Sequence, residues 1–309
     1  MTAPVTPARG DAFTRAMPAV FVVIWSTGFI VARYGMPYAP PMKFLALRYV
    51  LSLLCFLAWT AASRVAWPAT RRQWLHLAAV GVLMNGGYLG GVWAAVKAGM
   101  GSGLSSLIVG LQPVLTVVWL AASGGQVTRR QGVGVVLGFA GLALVVSGRM
   151  GKGGEANWVN LSLALMALFS ITAGTLYQKR FVARCDVRSA NAIQVGAALL
   201  VTLPFALLEH EAMRWNPELV GALAWSVLAL TLGGSSLLYL LIQRGAVAAV
   251  TSLMYLVPPT TALLAWALFS EPITVATLIG TALTAVGVSL VIRTAVRPGG
   301  RASDAAIER

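Results

Sequence analysis

Ten apolar stretches of membrane-spanning length run between about residues 17 and 293, five on each side of a glycine-rich break at 150–156. Five is odd, and that constrains the fold more than anything else in the chain. After an odd number of crossings the polypeptide stands on the far side of the bilayer. A second half built like the first must then enter upside down, related to it by a two-fold axis in the membrane plane.

The predicted spans cover about 17–34, 41–62, 74–96, 102–122, 130–148, 157–178, 189–208, 218–242, 246–269 and 273–293. Each matches the roughly 20 apolar residues a helix needs to cross hydrocarbon. Apolar runs of this length satisfy their backbone amides internally only as helices. Hydrophobic residues make up 58% of the 309 and charged residues 10%, against about 25% charge in a soluble domain. The fold class is therefore all-α integral membrane: ten transmembrane helices as two inverted five-helix repeats. The expected organisation is an N-terminal tail at 1–16, a first repeat at 17–149, a linker at 150–156, a second repeat at 157–293 and a C-terminal tail at 294–309. The first apolar run follows Arg9 and Arg15 as a signal peptide would, but with nine further spans it reads as helix one.

The net charge of +14 is a topology signal and not a nucleic-acid footprint. With the N-terminus cytoplasmic, 16 Lys and Arg fall in inside segments and 6 in outside segments, leaving Arg48 in the membrane. The positive-inside rule selects that orientation, with both tails cytoplasmic, and basic flanks suit anionic lipid. Cys55 and Cys185, like His76 and His210, lie in unrelated places, so neither a disulfide nor a metal site is expected.

The repeat is visible residue by residue. Trp25-Ser26 corresponds to Phe169-Ser170, Arg48 to Gln194, Lys97 to Arg244, Pro113 to Pro258 and Gln126 to Glu271, at offsets of 144 to 147. Together with Gly28, the Ser105–Pro113 stretch, Gly134, Gly141, Tyr239, Ser270-Glu271-Pro272, Gly280 and Gly287, these residues resemble the drug/metabolite transporter superfamily, EamA type, over about 17–293. The resemblance implies alternating access in an inner-membrane exporter of small metabolites, amino acids or drugs. It also implies a central cavity lined mostly by helices one, three, four, six, eight and nine. Gln126 stands where the family often has Glu; Glu271 keeps the acid in the second half.

Uncharged polar groups mixed with aromatic rings mark the candidate cavity faces. Asn85, Tyr88 and Val92 share one face of helix three at i, i+3 and i+7. Ser236, Tyr239 and Gln243 repeat the pattern in helix eight. Trp25 lies mid-helix, and Gln112, Tyr177 and Tyr255 complete the predicted set. Such a wall receives a solute by apolar contact and a few hydrogen bonds, favouring aromatic or otherwise apolar solutes. The same groups would equally serve as interhelical hydrogen bonds or packing.

Pro113 and the Pro258-Pro259 pair remove backbone donors mid-helix, giving either hinges or tolerated kinks. Arg48 lies seven residues past Pro41, ~10 Å from the helix end, close enough to snorkel outward or to contact a solute. None of the nine carboxylates falls mid-span, where a proton relay needs one. That favours a facilitator, with proton antiport through Glu271 or His76 as the alternative. No nucleophile–base grouping, metal spacing or phosphate-cradling loop points to an enzyme, and no charged ring points to a channel. A scaffold or sensor would need neither the inverted repeat nor the polar faces. The partners expected are a small-molecule solute and the lipid bilayer, with no cofactor, no metal and no nucleic acid.

Overall fold

The computed structural model describes residues 12–150, 155–183, 185–234, 236–237 and 254–295. The described residues form ten helices. They are α1 (Ala12–Gly35), α2 (Pro41–Ala62), α3 (Arg71–Lys97), α4 (Ser102–Ala122), α5 (Arg129–Arg149), α6 (Trp158–Phe181), α7 (Val187–Leu208), α8 (Pro217–Gly233), α9 (Met254–Phe269) and α10 (Val275–Ala295). Seven are long and apolar enough to cross a membrane. The three shorter apolar stretches are 19–35 of α1, α8 and α9. Polar side chains start several of them. Thr128 and Asn157 form capping boxes with Gln131 and Asn160, and Asn216 accepts from the Leu219 amide at 2.8 Å.

The inverted relation shows in which helices pair. The most extensive packing joins α5 to α10, and the next joins α2 to α7, each the mate of the other in the two halves. α5 and α10 run antiparallel. A Cβ on Gly134 would stand 2.6 Å from the Gly287 carbonyl, and one on Gly141 would stand 2.4 Å from the Gly280 carbonyl. Lipid tails are as apolar as leucine, so such helices associate through close backbone approach. The four glycines permit that approach.

Two irregularities repeat across the halves. Val82–Leu89 in α3 and Ser226–Gly233 in α8 are both eight-residue π-helical stretches, starting 144 positions apart. π turns disturb the carbonyl ladder and often mark functional sites. Here hydroxyls from elsewhere meet those carbonyls: Tyr49 donates to Asn85 O at 2.6 Å and Ser170 to Leu83 O at 2.8 Å. The second irregularity is at the prolines. α4 breaks at Gly110-Leu111 and restarts at Gln112-Pro113, while α9 passes from a 3-10 turn at Met254–Leu256 into an α-helix at Val257-Pro258. The breaks touch, for a Cβ on Gly110 would lie 2.7 Å from the Pro258 ring.

Candidate functional site

Between the halves lies a cavity of about 580 Å³, within the range typical of small-molecule sites. Its deep end is aromatic. Phe29, Tyr88 and Trp93 contribute, and Trp93 stacks on Phe44 at 4.4 Å between ring centroids. Its other end reaches the α6–α7 connection, where Gln178, Lys179 and Ala183 are exposed. The cavity is thus open at one end of the bundle.

The opposite end is sealed by charge and capping. Lys97 pairs with Glu211 at 2.8 Å and also donates to Met36 O at 3.1 Å. Glu209, past the end of α7, accepts from the first amides of α2: Met42 N at 3.0 Å and Lys43 N at 2.8 Å. Glu271 does the same for α4, accepting from Ser102 N at 2.9 Å and Gly103 N at 3.2 Å. A carboxylate on a helix N-terminus answers both its free N–H groups and its dipole. Arg149 pairs with Glu155 and donates to Pro272 O at 3.0 Å. Burial pushes the Glu155 carboxyl above its ordinary range; Arg149 opposes the rise and Glu271 adds to it.

Trp25, Asn85 and Tyr88 line the cavity. Tyr239 and Gln243 lie outside the described residues. Three of the predicted groups face elsewhere. The Gln112 amide donates to Thr175 Oγ1 at 3.0 Å, joining α4 to α6. The Tyr177 hydroxyl lies 2.8 Å from His76 Nδ1, and its ring packs on Phe181 at 4.7 Å. Tyr255 packs against the second apolar core, built around Leu104, Leu107 and Val288. Each is absorbed in helix–helix packing because a partner stands within reach.

Arg48 does not snorkel outward. It is 7% exposed and forms part of the cavity wall, with Nη2 and Nε at 3.1 and 3.4 Å from Thr231 Oγ1 in the π stretch of α8. His76 sits at the open end between Arg72 and Tyr177, and Glu271 at the sealed end, so neither lines the cavity. Pro113 and Pro258 begin helical segments and lie outside the lining.

The lining helices also differ from those the resemblance implies. α2 and α7 contribute through Arg48, Asn191 and Gln194, whereas described residues of α4 and α9 contribute none. The contact between Gly110 and Pro258 brings the broken helices onto each other, away from the cavity wall. Gln194 had a signal in the sequence, as the repeat mate of Arg48. Gln178 had its place beside Tyr177 near the end of helix six, and Asn191 only its polarity. Among the described residues no cluster of His, Cys, Asp and Glu suits a metal.

The model of the EamA-like transporter family matches residues 16–147 and again 158–293. The chain belongs to that family. It is a membrane transporter by membership, and the two matches are its two repeats. Over 284 residues it is 27% identical to an uncharacterised transporter, YvbV, of Bacillus subtilis, covering 90% of this chain and 91% of that one. It is 26% identical over 200 residues to a probable amino-acid metabolite efflux pump of Salmonella typhimurium, covering 64% and 63%. A protein solved by crystallography aligns over 93% of this chain and 99% of its own, with a TM-score of 0.61 and 18% identity, a likeness of fold.

Proposed function

We propose that this protein is a secondary carrier of the inner membrane that exports small metabolites, amino acids among them, by alternating access. One observation carries the reading: a solute-sized cavity open at one end of an inverted repeat and sealed at the other. With both tails cytoplasmic, as the 16-to-6 distribution of basic residues favours, the open end faces the cytoplasm. A solute would enter past Gln178 and lodge against Trp25, Tyr88 and Trp93. The matched π stretches and touching proline breaks would serve as the flexible points when the seal opens. The chemistry is transport without reaction; among the described residues no nucleophile–base pair faces the cavity.

Transport is uncoupled from protons in this reading. Among the described residues no carboxylate or histidine lines the cavity, and Glu271 is occupied as a helix cap. Proton antiport has one observation in its favour, the Glu155 carboxyl pushed up by burial with Glu271 beside it. Counterflow in proteoliposomes decides between them. Exchange of a labelled metabolite that persists when an imposed pH gradient is collapsed is the expected result. Exchange that follows the gradient would establish antiport, and no exchange across a broad solute panel would remove the carrier reading.

A further inference from the structure

The cavity wall holds a cation, Arg48, that no described carboxylate neutralises. Among the described residues the recorded hydrogen-bond partner of the Arg48 guanidinium is one neutral hydroxyl, Thr231 Oγ1. A guanidinium presents five N–H donors and keeps its charge in proteins, so a single hydroxyl leaves most of its hydrogen-bonding capacity unused. The described carboxylates are all engaged or placed elsewhere. Glu209 and Glu271 cap helices, Glu211 pairs with Lys97 and Glu155 with Arg149. Asp186 pairs with Arg188, and Glu218 is exposed at the start of α8. Among the described residues, none that lines the cavity is acidic.

A buried charge without a counter-ion is costly and in a membrane protein marks a place where charge arrives from outside. Resting on the carrier reading above, we infer that Arg48 and Thr231 form the head-group site of the cavity, where a carboxylate of the solute docks. The substrate class is a small organic acid with an apolar or aromatic body, amino acids included, and amines that lack a carboxylate are excluded. The guanidinium offers paired donors to a carboxylate in the geometry that makes such contacts strong. The same charge repels a lone ammonium. Trp25, Tyr88 and Trp93 supply flat apolar surface for the body of the solute. At the sealed end, a smaller depression of about 230 Å³ is lined by Arg33 and by Lys97, whose charge Glu211 answers.

Three probes with one body test this: L-phenylalanine, 3-phenylpropanoate and phenethylamine, with the matching isobutyl series of leucine, 4-methylpentanoate and isoamylamine. Each is titrated into purified protein by tryptophan fluorescence and used in proteoliposome counterflow. The carboxylates are expected to bind and exchange, with each amine weaker by about tenfold or more. Arg48→Gln should weaken carboxylate binding by about the same factor and erase the discrimination, while Arg48→Lys keeps part of it. Thr231→Val, which leaves the charge in place, should weaken carboxylates a few-fold. Amines binding as tightly as the acids would overturn the inference, as would no carboxylate binding, or folded Arg48→Gln within twofold of wild type. Should Arg48→Gln fail to fold, unchanged carboxylate affinity in both Arg48→Lys and Thr231→Val overturns it instead. Carboxylate binding without exchange supports the site and removes the carrier reading. Exchange without preference for acids does the reverse.

Discussion

The two ends of the bundle are held in different ways. At the sealed end, beside the local pair of Arg149 with Glu155, charged contacts are long-range and join the halves: Lys97 to Glu211, Glu209 to the start of α2, and Glu271 to the start of α4. At the open end Arg188 pairs with Asp186 two residues away, and contacts that reach further include His76 to Tyr177, Ser189 to Ala66 O and the Arg188 guanidinium over the Trp59 ring. Charged groups that bridge distant segments hold the sealed end closed. The proposed alternating mechanism would break this set and make a second, so the strength of these contacts would set the balance between its states.

The seal breaks most completely at Glu271. Glu271→Ala frees one buried and one half-buried amide at the start of α4 and should cost about 2–3 kcal/mol, read as a fall in thermal stability in detergent together with loss of exchange. Glu271→Gln, which keeps one accepting oxygen, should cost about 1 kcal/mol. Equal effects of the two would show that the carboxylate does more than cap.

The next effect sharpens the comparison by leaving both ends alone. Gly141→Leu drives a side chain into the backbone of α10 and should destabilise by roughly 1–3 kcal/mol. Gly132→Ala on the same helix meets open space and should be neutral or stabilising by up to about 1 kcal/mol. Thermal midpoints of the pair in one detergent check this. A silent Gly141→Leu would contradict the packing of the repeat mates.

Lys97→Ala should shift access and not stability. Its pair with Glu211 is a third to a half exposed and is worth less than about 1 kcal/mol. That is still enough to move a near-balanced equilibrium between access states several-fold. The readout is thiol accessibility from the sealed side, which should rise.

The smallest effect is a pH limb. The Glu155 carboxyl lies above the ordinary 4.5 because burial penalises its charged form. Its stabilising contribution is therefore full at low pH and falls as pH rises from 4.5 through the raised value. Glu155→Gln should flatten that limb in a plot of thermal midpoint against pH; an unchanged limb would assign it to another group.

Much of this architecture was legible because the signals are coarse. Span length, the odd number of helices in each half and offsets near 146 needed no knowledge of which way a side chain points, and neither did the proline breaks. Azimuth was harder. In a helix that is apolar all round, 3.6-residue periodicity does not say which polar group faces a cavity and which a neighbour. Gln112 and Tyr177 went to Thr175 and His76, while Arg48 turned inward. The π stretches added to this, since an extra residue per turn rotates everything beyond it, and Val82–Leu89 carries no marker except its paired glycines. Glu271 could be placed at a helix end from sequence, but that it caps a different helix needed the tertiary fold.

The central claim is that the cavity communicates with one side of the membrane at a time. The most direct measurement is sided labelling of Asn85→Cys, with Cys55 and Cys185 replaced, by a membrane-impermeant maleimide in vesicles of both orientations. Labelling from the Gln178–Asn191 side alone, with access from the other side appearing in Lys97→Ala, is the predicted result. Equal labelling from both sides in the otherwise unaltered protein, or labelling first from the Lys97–Glu211 side, would contradict it.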